Sequence, residues 1–271
     1  MAEQHQKTRT LDAPGIQSIE VGADILRALA DAGGPVALTR LAQLAGMEPS
    51  KARRYLVSFL RCGLVEQDGR TGHYLFGPLA FRIGVASFNA MDPIRLGART
   101  LVALRDATGE TAMLSVWGGA GPTIVGLEES GQPVMLIARM GAMLPLLSSA
   151  SGQVFAAFLD QPAVAACVAR EWKALSAQRR REILGPHRSM DALRKAVRAA
   201  GFAEVQDQLQ SGIHGFSAPV FSHKGGMVAA VTLITRSGAE SRRKAPQLAR
   251  EVAHRASALS QELGYAGPAP T

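Results

Sequence analysis

The sequence predicts an α+β molecule in two parts, a small helical unit closed by a hairpin and a larger antiparallel sheet flanked by helices. Three observations carry this expectation. Leu38 to Phe76 holds two short helix-like segments, a tight turn and two strand-like runs, in that order. From Thr111 onward, β-like runs that follow one another are separated by Gly/Pro turns, the pattern of an antiparallel sheet. Between these parts, Pro78 to Thr108 reads as helix, broken near Met91-Asp92-Pro93. With 271 residues, 47% of them hydrophobic, the chain is long enough for two buried cores.

Met1 to Gly15 is polar and is expected to be a disordered arm. Ile19, Ala23, Leu26, Leu29 and Ala30 then recur at helical spacing until Gly33-Gly34-Pro35 stops the helix. A second helix spans Thr39 to Ala45, with Leu38, Leu41, Leu44 and Met47 turned inward. The turn Gly46-Met47-Glu48-Pro49 leads into a third helix that carries Ser50, Lys51, Arg53, Arg54 and Tyr55, with a buried stripe of Ala52, Tyr55, Leu56, Phe59 and Leu60. Leu64-Val65-Glu66 and His73-Tyr74-Leu75-Phe76 are strands joined through a Gln67 to Gly72 turn rich in Gly and Asp. This is the order of parts in a winged helix-turn-helix, with Arg70 at the tip of the wing.

The domain boundaries expected on this basis are an arm at 1–15, a winged helix at 16–77, a helical linker at 78–108, a sheet domain at 109–264 and a tail at 265–271. In the sheet domain, Thr111 to Trp117, Thr123 to Glu128 and Val134 to Ala138 are the first strands. The Ser/Gly-rich loop Pro145 to Gly152 feeds a helix through Val154, Phe155, Phe158 and Leu159. A basic helical region follows from Arg170 to Ala200. Strands return at Phe202 to Gln206, Gly215 to Phe221 and Met227 to Ile234, and a closing helix runs from about Pro246 to Leu263. No internal repeat is evident.

The formal charge of +8 says less than its distribution, because residues 1 to 90 hold ten Lys/Arg against eight Asp/Glu. Local charge is more telling. From Pro49 to Arg61 there are four basic side chains, Lys51, Arg53, Arg54 and Arg61, and no acidic one. A helix that exposes a hydroxyl, a Lys and two Arg suits the major groove of double-stranded DNA, where phosphates attract cations and guanine edges accept bidentate Arg bonds. Thr39, Ser50, Lys51, Arg53, Arg54, Tyr55 and Arg70 are therefore the candidate DNA contacts. A solvated basic face would have the same composition, and the placement between turn and hairpin is what favours DNA. The triplet Arg179-Arg180-Arg181 lies among Glu171, Glu182 and Trp172 and is read as a solvated surface.

Other classes find little support. Cys62 and Cys167 lack metal-ligand or disulfide-framework spacing, and the six histidines form no HxH or HExxH pattern. No GxSxG elbow or phosphate-loop fingerprint occurs, so neither a catalytic set nor a cofactor is implied. The first twenty residues lack an apolar targeting segment, and no run reaches the roughly 18 apolar residues of a membrane span, which is expected of a cytoplasmic protein with no membrane partner. His214 beside the Ala218-Pro219 block could bond a ligand or be a satisfied structural histidine.

Four motif blocks together resemble the IclR family of bacterial transcription regulators over roughly Gln17 to Gly264. They are Leu41-Ala42-Gln43-Leu44-Ala45-Gly46-Met47 with Ser50 and Arg54; Gly63-Leu64-Val65-Glu66 followed by His73 to Pro78; Leu144-Pro145-Leu146 followed by Ala150 and Gly152; and Gly212-Ile213 with Ala218-Pro219-Val220-Phe221. The resemblance implies a GAF-like effector domain, and a homodimer or dimer of dimers on partly palindromic operator DNA. By the same mapping, Leu136, Leu144, Ala150, Ser151, Val205, Gly215, Thr232 and Ile234 would line a pocket for a small-molecule effector. The small residues of the Pro145 to Gly152 loop, Gly152 included, would present backbone N–H groups to an anion or form an ordinary helix entry, and Trp117 at a strand end would stack on a ring or belong to the core or a dimer interface. Where the family often has His, Thr and Lys in the loop this chain has Leu147, Ser149 and Gln153; Gly215 replaces a frequent Cys and Val205 an acidic residue. A pocket so changed implies a small organic acid with an apolar or aromatic body. The rival reading is a small-molecule binding protein or enzyme with a vestigial helix-turn-helix head.

Overall fold

The structure is a computed structural model and describes residues 15–89, 92–131 and 139–267. The strand expected at Val134 to Ala138, the pocket candidate Leu136 and most of the N-terminal arm lie outside the described residues. The chain divides into two compact units, Met1–Ala86 and Ser87–Thr271.

In the first unit, helices α1 (Gln17–Ala32), α2 (Leu38–Leu44) and α3 (Pro49–Arg61) precede a hairpin of β1 (Val65–Gln67) and β2 (Tyr74–Phe76). Gly33 ends α1 in the left-handed conformation, at φ 64°, which a residue without Cβ adopts freely. Ile25 and Leu29 of α1, Leu41 of α2, Leu56 of α3, and Val65 and Tyr74 of the hairpin form one buried cluster. At Gly22 the first helix passes so near α3 that an added Cβ would lie 2.9 Å from the Phe59 ring. Val36 pairs with Tyr74 through two backbone hydrogen bonds, of 2.9 and 2.8 Å, and so ties the α1–α2 connection to the hairpin. Helix α4 (Pro78–Asn89) follows.

The second unit is built on a five-stranded antiparallel sheet of order β4-β3-β7-β6-β5, made from β3 (Thr111–Trp117), β4 (Pro122–Glu128), β5 (Ala203–Gln206), β6 (Ile213–Phe221) and β7 (Met227–Arg236). Helices α5 (Asp92–Thr108) and α10 (Ala239–Glu262) cover one face, where Leu101, Leu104, Leu248, Val252 and Leu259 pack on Leu114, Phe216, Val231 and Leu233. The other face receives α6 (Ala150–Phe158), with α7 (Pro162–Ala174), α8 (Ala177–Leu184) and α9 (Met190–Ala200) outside it. Burial on both faces explains why β6 and β7 read as nearly continuous apolar runs.

Of the segment expected to be a linker, α5 thus places Ile94, Leu101 and Leu104 in the core of the second unit. The closing helix differs from expectation in its start. It begins at Ala239, seven residues before Pro246, because the Ser241 hydroxyl accepts the Gly238 N–H at 3.0 Å and caps the first turn. Pro246 lies within the helix and there removes one intrahelical donor.

Candidate nucleic-acid interface and ligand pocket

Pro49 at the first position of α3 fixes the entry angle of that helix, after a turn in which Gly46 has φ +64°. The cap position belongs to Glu48, so Ser50 sits inside the first turn, its side chain exposed. Ala52 and Leu56 are buried, and the helical period leaves Lys51, Arg53 and Arg54 exposed on the outer surface, with Thr39 exposed on α2. Among the described residues no carboxylate lies within 4.0 Å of the Lys51, Arg53 or Arg54 cation, so these charges are free to meet phosphate or base edges. Tyr55 is the member of the expected set that turns elsewhere. It is half-buried and its ring packs toward Gly22 of α1, because its position belongs to the apolar stripe.

The wing is held by Asp68, whose Oδ1 accepts the Arg70 N–H at 2.9 Å, the Thr71 N–H at 2.7 Å and the Thr71 hydroxyl at 2.9 Å. The Thr71 N–H is the main cause that holds this carboxyl below the usual Asp range. Arg70 is left exposed at the tip. By contrast, the Arg179 to Arg181 triplet is engaged locally: Arg179 pairs with Glu182 at 2.8 Å, and Arg180 donates to the Trp172 carbonyl at 2.9 Å while lying 5.2 Å over its ring.

In the second unit, Ala150, Ser151, Val205, Gly215, Thr232 and Ile234 come together around one small cavity, with Met113, Ser149, Leu209 and Ile213 completing its lining. Its volume is about 20 Å³, space for about one water. The start of α6 lies against the sheet at Gly215, where an added Cβ would make ordinary contact with the Ala150 Cβ at 3.5 Å. A buried line of hydroxyls runs through this wall. Ser217 donates to the Val231 carbonyl at 3.2 Å, Thr232 to Ser217 at 2.8 Å, and Ser151 lies 2.8 Å from Thr232. A larger cavity of about 260 Å³ lies elsewhere, at the start of α10, lined by Glu110, Thr235, Arg236, Glu240 and Lys244 among others. It is a polar recess in which Lys244 already pairs with Glu240 at 2.7 Å, and burial raises the Glu110 carboxyl above its ordinary range.

Three of the expected pocket residues stand outside the lining. Trp117 packs on Phe155, ring centroids 6.1 Å apart, in the core beneath α6. Leu144 packs in a cluster with Ile124 and with Met113, Ile213 and Ile234 of the cavity wall, without lining the cavity itself. Gly152 serves packing, for a Cβ there would come within 2.5 Å of Leu146 Cα and against the Pro145 carbonyl. Several backbone groups of the Pro145 to Gly152 loop are already paired. Glu171 of α7 accepts the Leu146 N–H at 2.9 Å and the Leu147 N–H at 3.1 Å, and Gln153 donates to the Leu147 carbonyl at 3.0 Å.

Glu171, Met113, Leu209 and Ile213 escaped the sequence reading. Met113 and Ile213 look like ordinary core residues until register places Met113 opposite Thr232 and Ile213 at the head of β6. Asp207, at φ 58°, shapes the loop that carries Leu209: its Oδ1 accepts the Gly212 N–H and its Oδ2 the Ser237 hydroxyl, each at 2.8 Å. The Ser237 bond is the first cause that lowers this carboxyl. His214 is fully buried, its Nε2 2.9 Å from Glu204 Oε1 and its Nδ1 3.2 Å from Ser241 Oγ, so it joins β5 and β6 to α10 and lines neither cavity.

Comparison with known proteins agrees with this division. The IclR helix-turn-helix domain matches residues 18–69, and the C-terminal domain of the bacterial transcriptional regulator IclR matches residues 85–261. The glycerol operon regulatory protein of Streptomyces coelicolor is 30% identical over 93% of this chain and 98% of its own length. The crystal structure of HmgR from Pseudomonas aeruginosa is 34% identical, covers 93% of this chain and 100% of that one, and superposes with a TM-score of 0.56. An IclR homologue of Microbacterium hydrocarbonoxydans, solved in complex with 4-hydroxybenzoate, shares the fold at a TM-score of 0.67, with 18% identity and coverage of 91% and 98% of the two chains. A helix-turn-helix with an exposed cationic face, followed by a two-faced antiparallel sheet domain and matched by both IclR domains, makes this chain a member of the IclR family of transcription regulators.

Proposed function

We propose that this regulator reads operator DNA with α3 and the wing, and that a small organic acid with an apolar or aromatic body, held between α6 and the sheet, sets its DNA affinity. The observation that carries this reading is the α3 surface, on which Lys51, Arg53 and Arg54 are exposed and unpaired among the described residues. Arg53 or Arg54 bonds a guanine edge, while Lys51, Ser50 and Thr39 meet phosphates and Arg70 meets the backbone or minor groove. Residues 16–77 act as the reading head, 78–108 connect it, and 109–264 sense the effector.

For the effector, the support is the lining. Val205, Ile213 and Ile234 are apolar, Ser151 and Thr232 supply hydroxyls, and the Ala150 and Ser151 N–H groups lie in the first turn of α6, where helix donors lack internal partners and favour an anion. A cavity of about 20 Å³ is far smaller than a ring. Binding is therefore coupled to movement of the walls, and Leu209, on the loop shaped by Asp207, is the lining residue most open to solvent. Differential affinity for the open and closed arrangements is what would let such a ligand act.

The functional unit in this reading is a homodimer or dimer of dimers in the cytoplasm, without enzymatic activity and serving a catabolic or metabolic operon. Phe81 and Val85, one turn apart on α4, are 72% and 40% exposed, an apolar strip suited to association of copies. A gel shift with upstream genomic DNA across a salt series tests the reading. Affinity that falls steeply with salt and discriminates against random DNA is expected; a chain with a vestigial head would show neither.

A further inference from the structure

The hydroxyl line behind the pocket has a direction, and that direction selects ligands. A backbone carbonyl can only accept, so the Ser217 proton is committed to Val231 O at 3.2 Å. With its proton spent, Ser217 Oγ accepts from Thr232 at 2.8 Å. The Thr232 proton is then spent as well, and the 2.8 Å contact to Ser151 requires the Ser151 proton. Each hydroxyl holds one proton, so Ser151 Oγ is left with lone pairs alone. Ser151, Ser217 and Thr232 are 0%, 0% and 1% exposed, so water does not readily reset the order. Both Ser151 and Thr232 line the cavity.

We infer that Ser151 is a pure acceptor at the effector site and that Thr232 and Ser217 are specificity-determining residues that keep it so, making the preferred effector an acid that also carries a hydroxyl or amino donor. The inference rests on the proposed function in taking this cavity as the effector site. A carboxylate against Ser151 Oγ would set lone pair against lone pair, so the acid group is directed to the Ala150 and Ser151 N–H groups in the first turn of α6 and the donor to Ser151 Oγ. A buried site that satisfies a ligand donor strongly disfavours the analogue that lacks it. Thr232 is thereby selective without being a direct partner of the ligand donor.

The test uses the full chain and calorimetric titration with 2-, 3- and 4-hydroxybenzoate, each against the fluorobenzoate substituted at the same position, which keeps similar size and removes the donor. At one ring position the hydroxy acid is expected to bind about tenfold tighter than its fluoro partner. Thr232→Val and Ser217→Ala both return the proton to Ser151, and in both the ratio is expected to fall toward one while the fluoro acid holds or gains affinity. Two variants guard against one that misfolds, and a melting transition close to that of the native chain establishes folding. Acids that bind with equal affinity for hydroxy and fluoro partners, or a ratio unmoved in both variants, would overturn the relay and leave the ring-acid reading intact. Binding by no member of the panel would overturn the ring-acid reading and the relay with it.

Discussion

Lys51 stands at the outer surface of α3 with no carboxylate partner among the described residues, and an ammonium behaves as a point charge toward phosphate. Lys51→Ala is therefore expected to weaken binding uniformly across DNA sequences and to make the slope of log affinity against log salt shallower by about one. A sequence-selective loss in a binding-site panel would instead identify a base contact. Glu171 presents the opposite case, a side chain whose work lies inside the protein. Glu171→Leu removes the only carboxylate that accepts the Leu146 and Leu147 N–H groups among the described residues; Leu146 and Leu147 are nearly fully buried, and the change is expected to cost about 1–3 kcal/mol, read from denaturant unfolding. An unchanged midpoint would mean that the loop relaxes to find other acceptors. The cations were legible in the sequence because charge density without acids is a local property. Glu171 was not, because its partners lie 25 and 24 positions earlier and nothing local sets the acid apart.

At the scale of elements, local signals placed helices and strands well where they end in a glycine or a turn, as at Gly33, Gly46 and the wing. They failed where an earlier cap and tertiary packing override a breaker. Pro246 reads as a helix start, yet Ser241 caps a helix that begins seven residues before it, and the buried Leu248, Val252 and Leu259 hold the whole element on the sheet. The loop into α6 was located from its small residues, whereas the reason for Gly152 emerged only from the crossing of two backbones. Gly152→Ala is expected to destabilise the chain by about 1–3 kcal/mol through overpacking against Pro145 and Leu146, seen as a lower melting temperature. Asp207 gives the neighbouring loop a pH dependence of known sign. Its folded pKa is depressed, so its contribution is fully present above the unfolded carboxylate pKa and is lost as pH falls through the folded value. Asn tolerates positive φ. The melting difference between the native chain and Asp207→Asn should accordingly hold constant from about pH 8 to pH 5 and shrink only below about pH 4. A difference that shrinks near pH 6 would assign the effect to another group.

For the whole molecule, the two-part order was visible because each unit closes its own core from residues near in sequence, while the pocket required β3, β5, β6, β7 and α6 to converge from more than a hundred residues apart. What such a division permits is linkage. An effector that changes operator affinity by some factor must itself be bound with the same factor of change when operator is present, because both routes lead to one ternary complex. Couplings of this kind span roughly 5- to 150-fold. The expected result is that an effector found by thermal shift has its Kd, titrated by calorimetry with and without saturating operator duplex, altered by the factor it imposes on DNA binding in a gel shift at matched salt. Equal effector affinity in both titrations, alongside an effector-dependent gel shift, cannot arise from one coupled equilibrium. It would mean that the ligand acts on assembly of copies, in which case Phe81→Asp on the exposed α4 strip should abolish the effect and leave a monomer in sedimentation.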